Sequence, residues 1–201
     1  METEENNMVL KIAALAEKAS DGNRMSFQEL VSMFQEDIHR LVYYRTYSQM
    51  DAEDITQEVF VQAYRKLKNL NDTQRFRAWL YSIAVNRCND FLRKRKFLLS
   101  LLQFRSAQEQ EFMDTGKGMN NDYNDTIAKK RFWEQVRSLL DKLSVMEREV
   151  FALRFLDQQS INEIATILDK SESTVKTHLY RALNKVRKDS SFFQEYRESM
   201  S

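Results

Sequence analysis

Apolar residues recur every three or four positions along most of this chain, the spacing that places them on one face of an α-helix. The pattern predicts helices over residues 9–19, 27–47, 51–67, 76–96 and 127–143, a further helix after Ser144, and helices over 161–168 and 172–188. Polar caps are expected at four helix starts: Ser26, Ser144 with Glu147, Ser160 with Glu163, and Ser171. Because proline is absent and glycine numbers 3, we expect an all-α protein.

The same pattern divides the chain into two small helical domains joined by a flexible linker. Residues 1–24 form an N-terminal extension, 25–96 a helical bundle, 127–189 a second domain and 190–201 a tail. Residues 97–126 are the linker, because most of this stretch is polar and it holds two of the three glycines. Its apolar start, 97–104, is unusual for a linker and is expected to pack on the first domain or on a partner.

Composition excludes several classes of function. The single Cys88 excludes an internal disulfide framework, and two distant histidines give no zinc spacing, so no metal or cofactor is expected. No signal peptide or membrane-spanning run is present, which predicts a cytoplasmic protein. The net charge is only +1, but charged residues are unevenly distributed along the chain. Acidic residues concentrate in 51–58, and basic residues in 87–96 and 176–188.

The acidic segment predicts a helix with one apolar and one charged face. Nucleic-acid phosphate repels an exposed acidic face, so its partner would be a protein. The alternative at this point is a solvated helix whose first-turn carboxylates favour the positive end of the helix dipole. The exposed set is Asp51, Glu53, Asp54, Gln57 and Glu58.

Residues 161–188 have the arrangement of a helix-turn-helix, a short helix and a longer one joined by a tight turn at Asp169. The longer helix presents short hydrogen-bonding groups first and cations later, which suits base edges and then phosphates. The alternative is a helical hairpin with a solvated basic face. The outward residues are Ser171, Glu172, Ser173, Thr174, Lys176, Thr177 and Arg181.

A second basic surface is expected near the end of helix 76–96. Asn86, Arg87, Asp90, Arg93 and Lys94 lie on or beside one face there, which suits melted DNA. The alternative is that these cations only complement the C-terminal end of the helix dipole.

Four segments together resemble the extracytoplasmic-function (ECF) class of bacterial sigma factors, of the sigma-70 family. They are DAEDITQEVF at 51–60, FRAWLYSIA at 76–84 followed by Asn86 and Arg87, MEREVFALR at 146–154 and SESTVK at 171–176. The resemblance covers about residues 27–188 and implies a protein that binds core RNA polymerase and directs promoter-specific transcription initiation.

The resemblance also implies a role for each site. The acidic helix would dock on the polymerase clamp, and the second domain would bind the polymerase flap and double-stranded minus-thirty-five DNA. The loop with Asn69, Asn71 and Asp72 would capture a flipped base of the melted non-template strand, beside Asn86, Arg87, Asp90, Arg93 and Lys94 over the minus-ten element. An anti-sigma factor is the expected regulator, and no membrane insertion is expected.

Two other functions were weighed against this one. A free-standing DNA-binding regulator would use the first domain for dimerisation, but a dimer face should be apolar at its centre. An enzyme is disfavoured because the sequence offers no nucleophile–base group, glycine-rich phosphate loop or metal-ligand set.

Overall fold

The computed structural model describes residues 2–105 and 136–188, and these form two compact units, one in Met1–Gly118 and one in Met119–Ser201. Every regular element in the described ranges is helical, which confirms the all-α prediction. None of the helices in these ranges combines the length and apolarity that crossing a bilayer requires.

The described part of the first unit, residues 2–105, contains four α-helices: α1 (Glu2–Ser20), α2 (Arg24–Thr46), α3 (Gln49–Lys66) and α4 (Phe76–Arg105). Two 3-10 turns, Leu67–Asn69 and Thr73–Arg75, connect α3 to α4. Helix α2 packs against α1, α3 and α4, and α3 packs against α4. The core is built from residues that α2, α3 and α4 bury completely, including Leu30, Ile38, Leu41, Val59 and Leu80.

Local capping corrects two predicted helix starts. Helix α2 begins at Arg24 rather than Phe27, because the Asn23 side chain accepts a hydrogen bond of 3.1 Å from the Ser26 backbone N–H. Ser26 is therefore inside the first turn and buried, and it is not the N-cap. Helix α3 begins at Gln49, capped by Ser48, whose hydroxyl accepts from the Asp51 N–H at 3.3 Å.

Two other helices are longer than predicted. Helix α1 begins at Glu2 rather than Val9. Helix α4 runs to Arg105 rather than ending at Lys96, so the apolar start of the predicted linker is helical. Phe97 and Leu98 remain 65% and 58% exposed there. Phe97, Leu101 and Phe104 keep helical spacing, but the prediction grouped them with the polar stretch that follows. The rest of the predicted linker, 106–126, lies outside the described residues.

The second unit contains α5, whose described part is residues 136–141, then α6 (Val145–Phe155), α7 (Ile161–Leu168) and α8 (Glu172–Lys188). Val136, Leu140 and Leu143 pack with Ala182 of α8, and Phe151 and Leu156 cover the cluster. The predicted start of α5 and the tail 190–201 lie outside the described residues.

The predicted caps of this unit are confirmed. The Ser144 N–H donates to the Glu147 carboxylate at 2.9 Å, and the Ser160 N–H donates to Glu163 at 2.8 Å. Asp169 ends α7 in the left-handed conformation, φ 53° and ψ 54°, which a short polar side chain tolerates better than most.

An ion pair between the exposed Lys185 and the buried Glu147 joins α6 to α8. Lys185 Nζ donates to Glu147 Oε2 at 2.6 Å, and the Glu147 side chain is only 6% exposed. The hydrogen bond from Lys185, with those at Ser144, holds the pKa of Glu147 at about 2. Because α8 carries the helix-turn-helix face, this pair fixes the helix that presents it.

We expect Glu147→Gln to destabilise the second unit by about 1–2 kcal/mol at pH 7, through loss of the charge-assisted bond. The depressed pKa means that the carboxylate stabilises the fold above its unfolded value of about 4.3, and this contribution disappears as pH falls towards 2. Urea titrations followed by methyl NMR signals of Val150 and Val186 measure the difference. A gap between wild type and variant that is unchanged at pH 2.5 would contradict the prediction.

Candidate functional site

The acidic face of α3 points outward. Glu53, Asp54, Gln57 and Glu58 are exposed and Asp51 is half-buried, whereas the apolar stripe of α3 is buried. The Glu53 carboxylate accepts a hydrogen bond of 2.8 Å from Gln49 one turn earlier. The exposed side chains line a shallow depression together with neighbours on α3 and α4: Asp54, Gln57, Glu58, Val61, Gln62, Arg65, Lys66 and Arg87.

An apolar strip lies beside this acidic face. Tyr64 is 43% exposed, and its ring meets Phe27 of α2 edge-on with centroids 4.9 Å apart. Val61 is 50% exposed next to it. These three side chains line a small surface depression together with Phe60 and Arg65.

Two arginines of α4 pair with carboxylates of α3. Arg87 donates to Glu58, and Arg95 Nη1 lies 4.0 Å from Asp51 Oδ2. The acids are seven residues apart on α3 and the arginines eight apart on α4, in opposite order, as expected for antiparallel helices in contact over about two turns. The structure therefore brings Arg87, assigned by resemblance to the minus-ten group, to the edge of the acidic face.

The remaining minus-ten candidates form two groups. Asn69, Asn71 and Asp72 are exposed in the connection before α4, and Asn86 lies about 15 Å further along the helix axis. Asp72 accepts the Gln74 N–H at 3.0 Å, so it caps the second 3-10 turn. Its other oxygen lies 3.5 Å from Arg75 Nε.

Within the second group, Arg93 donates to Asp90 at 2.9 Å. Arg93 is 79% exposed even so, and Lys94 and Asn86 are also exposed. Asp90 is half-buried and holds the guanidinium one turn away. This part of α4 therefore presents an amide and two cations, which are donors suited to phosphate and base oxygens.

The helix-turn-helix face begins with a hydroxyl cluster. Ser171 Oγ accepts the Thr174 N–H at 3.2 Å and lies 2.9 Å from Ser173 Oγ and 2.8 Å from Thr174 Oγ1. Thr177 donates to the Ser173 carbonyl at 2.8 Å. These bonds confirm Ser171 as the cap of α8 and leave Ser173 and Thr177 exposed.

Glu172 links the two helices of the motif. Its carboxylate accepts from Lys176 at 3.1 Å and from Asn162 of α7 at 3.2 Å. The Lys176 bond and then the Asn162 bond lower the pKa of Glu172. Sequence reasoning missed Asn162, because its contact spans the turn and no local spacing signals it. Arg181 is exposed one turn beyond Lys176 and Thr177.

The chemistry of these surfaces is that of binding. Among the residues that the structure describes, no group of three His, Cys, Asp or Glu side chains could hold a metal ion. Cys88 is buried within α4. What the described faces offer is fixed charge and hydrogen-bond donors and acceptors on rigid helices.

Comparison with known proteins gives the family. The model described as Sigma-70 region 2 matches residues 30–97, and the one described as Sigma-70, region 4 matches 133–186. RNA polymerase sigma factor SigV of Bacillus subtilis is 31% identical over 152 residues, which cover 76% of this chain and 83% of that protein. The ECF RNA polymerase sigma-E factor of Escherichia coli K12 is 31% identical over 170 residues, with coverage of 84% and 88%.

A solved structure agrees with these relatives. CnrH, in complex with the cytosolic domain of CnrY, is 25% identical and superposes with a TM-score of 0.67 over 88% of this chain and 95% of that one. Both sigma-70 regions are matched in order along the chain, and two ECF sigma factors are 31% identical to it over most of their length. The chain therefore belongs to the ECF sigma factors of the sigma-70 family.

Proposed function

We propose that this sigma factor docks on the clamp of core RNA polymerase through α3, reads the minus-ten element with α4 and the turns before it, and reads the minus-thirty-five element with α8. The observation that carries the proposal is the segregation of charge. One helix presents carboxylates to solvent, and different helices present amides, hydroxyls and cations.

The docking surface consists of Asp51, Glu53, Asp54, Gln57 and Glu58 beside the apolar strip of Val61 and Tyr64. Stable protein interfaces combine an apolar centre with a polar rim, and this pairing fits that arrangement. Arg87 belongs with this surface in our proposal, because it holds the Glu58 carboxylate in place from α4.

The minus-ten surface consists of Asn69, Asn71 and Asp72 in the turns, and Asn86, Asp90, Arg93 and Lys94 on α4. The turns would receive a base flipped out of the stack, offsetting a few kcal/mol of unpairing by hydrogen bonds. The cations of α4 would hold the backbone of the melted non-template strand.

The minus-thirty-five surface is the exposed face at the start of α8. Ser173, Thr177 and Lys176 face outward from a helix that is fixed at both ends by Ser171 and by the Glu147–Lys185 pair. Glu172 positions Lys176 and Asn162 and does not itself read a base in this assignment. The second unit would also contact the polymerase flap.

The sigma factor contributes recognition and no covalent step of its own, so it is not an enzyme in this proposal. Polymerase tethers both DNA-reading surfaces, and local concentration makes two weak contacts effective together. It would act in the cytoplasm, where promoter DNA and polymerase are found. An anti-sigma factor would hold it inactive, in keeping with the solved relative CnrH, which is bound to the cytosolic domain of CnrY.

Run-off transcription with core polymerase tests the proposal as a whole, and absence of promoter-directed transcripts would refute it.

Charge reversal on the docking face should abolish polymerase binding. We expect Asp54→Lys with Glu58→Lys to weaken core polymerase binding roughly 30-fold or more, because opposed charges at an interface become like charges. Glu17→Lys with Glu36→Lys is the matched control, since both are exposed acids on other helices. Equal affinities for the two double variants in a fluorescence titration would refute the docking assignment.

Two arginines of α4 should separate polymerase binding from DNA binding. Arg87→Ala should weaken polymerase binding about two- to fivefold, the usual range for an exposed ion pair, and leave the salt dependence of promoter binding unchanged. Arg93→Ala should leave polymerase binding unchanged and reduce the salt dependence of promoter binding. If Arg87→Ala flattens the salt dependence of promoter binding instead, Arg87 contacts DNA as the family resemblance first implied.

Cations on α8 should differ in their effect on promoter binding. Arg181→Ala should lower the slope of log affinity against log salt by about 0.9, the value for one phosphate contact. Lys176→Ala should lower it less, because Glu172 already pairs with the ammonium group. Lys18→Ala, an exposed cation of the first unit, is the control. A slope that none of the three variants alters would contradict the assignment of α8.

A further inference from the structure

Helix α1 precedes the stretch that the region 2 family model matches, and neither that match nor the site described above gives it a role. Its C-terminal half is packed into the first unit. Ile12, Ala13, Ala16 and Ala19 are 8%, 9%, 0% and 5% exposed. A helix with this much buried surface is part of the folded unit and not a loose extension.

The packing partners of α1 are the informative feature. It packs most extensively against α2, and it also packs against both 3-10 turns, Leu67–Asn69 and Thr73–Arg75, more against the second turn than against the first, with a smaller contact to α4. Helix α3 contacts the first turn and α4 contacts the second, but each of those helices is continuous in the chain with the turn it contacts. Helix α1 is remote in sequence from the turns and supports both.

Each of the two turns is a single 3-10 turn with few hydrogen bonds of its own. In the first, the Leu70 N–H bonds to the Leu67 carbonyl at 3.0 Å. In the second, the Arg75 N–H bonds to the Asp72 carbonyl at 3.1 Å, and the Asp72 side chain accepts from the Gln74 N–H at 3.0 Å. Isolated 3-10 turns have poor hydrogen-bond geometry, and exposed loops open at low free energy. Leu67 and Phe76 anchor the ends of the connection, both 1% exposed, and its polar side chains lie between them.

The attachment of α1 is itself rigid. The chain reverses at Gly22, whose φ of 99° suits glycine, and the Asn23 N–H bonds to the Lys18 carbonyl at 3.0 Å. Asn23 then caps α2. Lys11 in the middle of α1 also pairs with Glu29 on α2 at 2.8 Å, an exposed ion pair that adds a second link between the two helices.

We propose that α1 is a brace that holds the Leu67–Arg75 connection in the conformation that recognises the minus-ten element. It would thereby set promoter specificity without touching DNA, as a positioning element for Asn69, Asn71 and Asp72. This inference rests on the proposed role of these turns in minus-ten recognition.

The test uses two alanines two residues apart on α1. Ala16 is fully buried and Ala14 is exposed, so Ala16→Leu forces α1 away from its supports, whereas Ala14→Leu makes the same chemical change on the solvent side. Ala13→Leu, at a second buried position of α1, is the second variant. Each is assembled with core polymerase and assayed on a promoter mapped by run-off transcription, with every base substituted singly at each minus-ten position.

We expect Ala16→Leu and Ala13→Leu to lose roughly tenfold in discrimination at one minus-ten position, the discrimination that one good base contact provides. Polymerase binding and discrimination at the minus-thirty-five element should equal wild type, and Ala14→Leu should match wild type throughout. In the protein without DNA, amides of residues 67–75 should exchange roughly tenfold faster in Ala16→Leu than in Ala14→Leu.

Two results would overturn the brace. The first is unchanged minus-ten discrimination in both variants. The second is loss of polymerase binding in both, which would make α1 a general requirement of the fold. Failure of the proposed function can be told apart from failure of the brace. If the proposed function is wrong, wild-type protein itself shows no minus-ten discrimination, and the amide-exchange comparison still reports whether α1 supports the turns.

Discussion

The orientation of α3 is the constraint on which the first unit depends. The helix buries one apolar stripe, formed by Ala52, Ile55, Val59 and Ala63, where it packs against α2 and α4. The carboxylates on its opposite face must therefore point to solvent. Ile55 and Val59 each contribute about 1.5–3 kcal/mol by burial and the two alanines less, which together is far more than the exposed acids lose by mutual repulsion. The apolar stripe therefore determines where the acidic surface points, and the acidic surface is stable only because the stripe is buried.

Sequence reasoning succeeded where the determining forces are local. The faces of α3 and α8 follow from helical periodicity, and the caps at Ser144, Ser160 and Ser171 follow from hydrogen bonds that span three residues. It failed at Ser26 because Asn23, also a strong cap, stands three residues earlier, and the apolar pattern does not distinguish the two. It placed the end of α4 too early, because it assigned Phe97, Leu101 and Phe104 to the polar linker that follows although they keep helical spacing.

Contacts between distant segments could not be obtained from the sequence. The Arg87–Glu58 pair joins residues 29 apart, and Asn162 reaches Glu172 across the turn of the helix-turn-helix. Both contacts depend on how two helices are placed in space, which periodicity leaves undetermined. The packing of α1 on the 3-10 turns is of the same kind, and so the sequence could predict a helix there but not its neighbours.

The ion pairs between α3 and α4 lie at the boundary between an acidic and a basic surface, in a protein whose net charge is only +1. Without Arg87 and Arg95, the acidic face of α3 would extend to the edge of α4, close to the cations that suit DNA. The two arginines pair with Glu58 and Asp51 along that boundary, and Arg93 and Lys94 of α4 remain exposed without a carboxylate of α3 against them. Screening over about 8–10 Å then separates what each face attracts. A boundary of paired charges thus lets one small helical unit present an acidic and a basic surface at once.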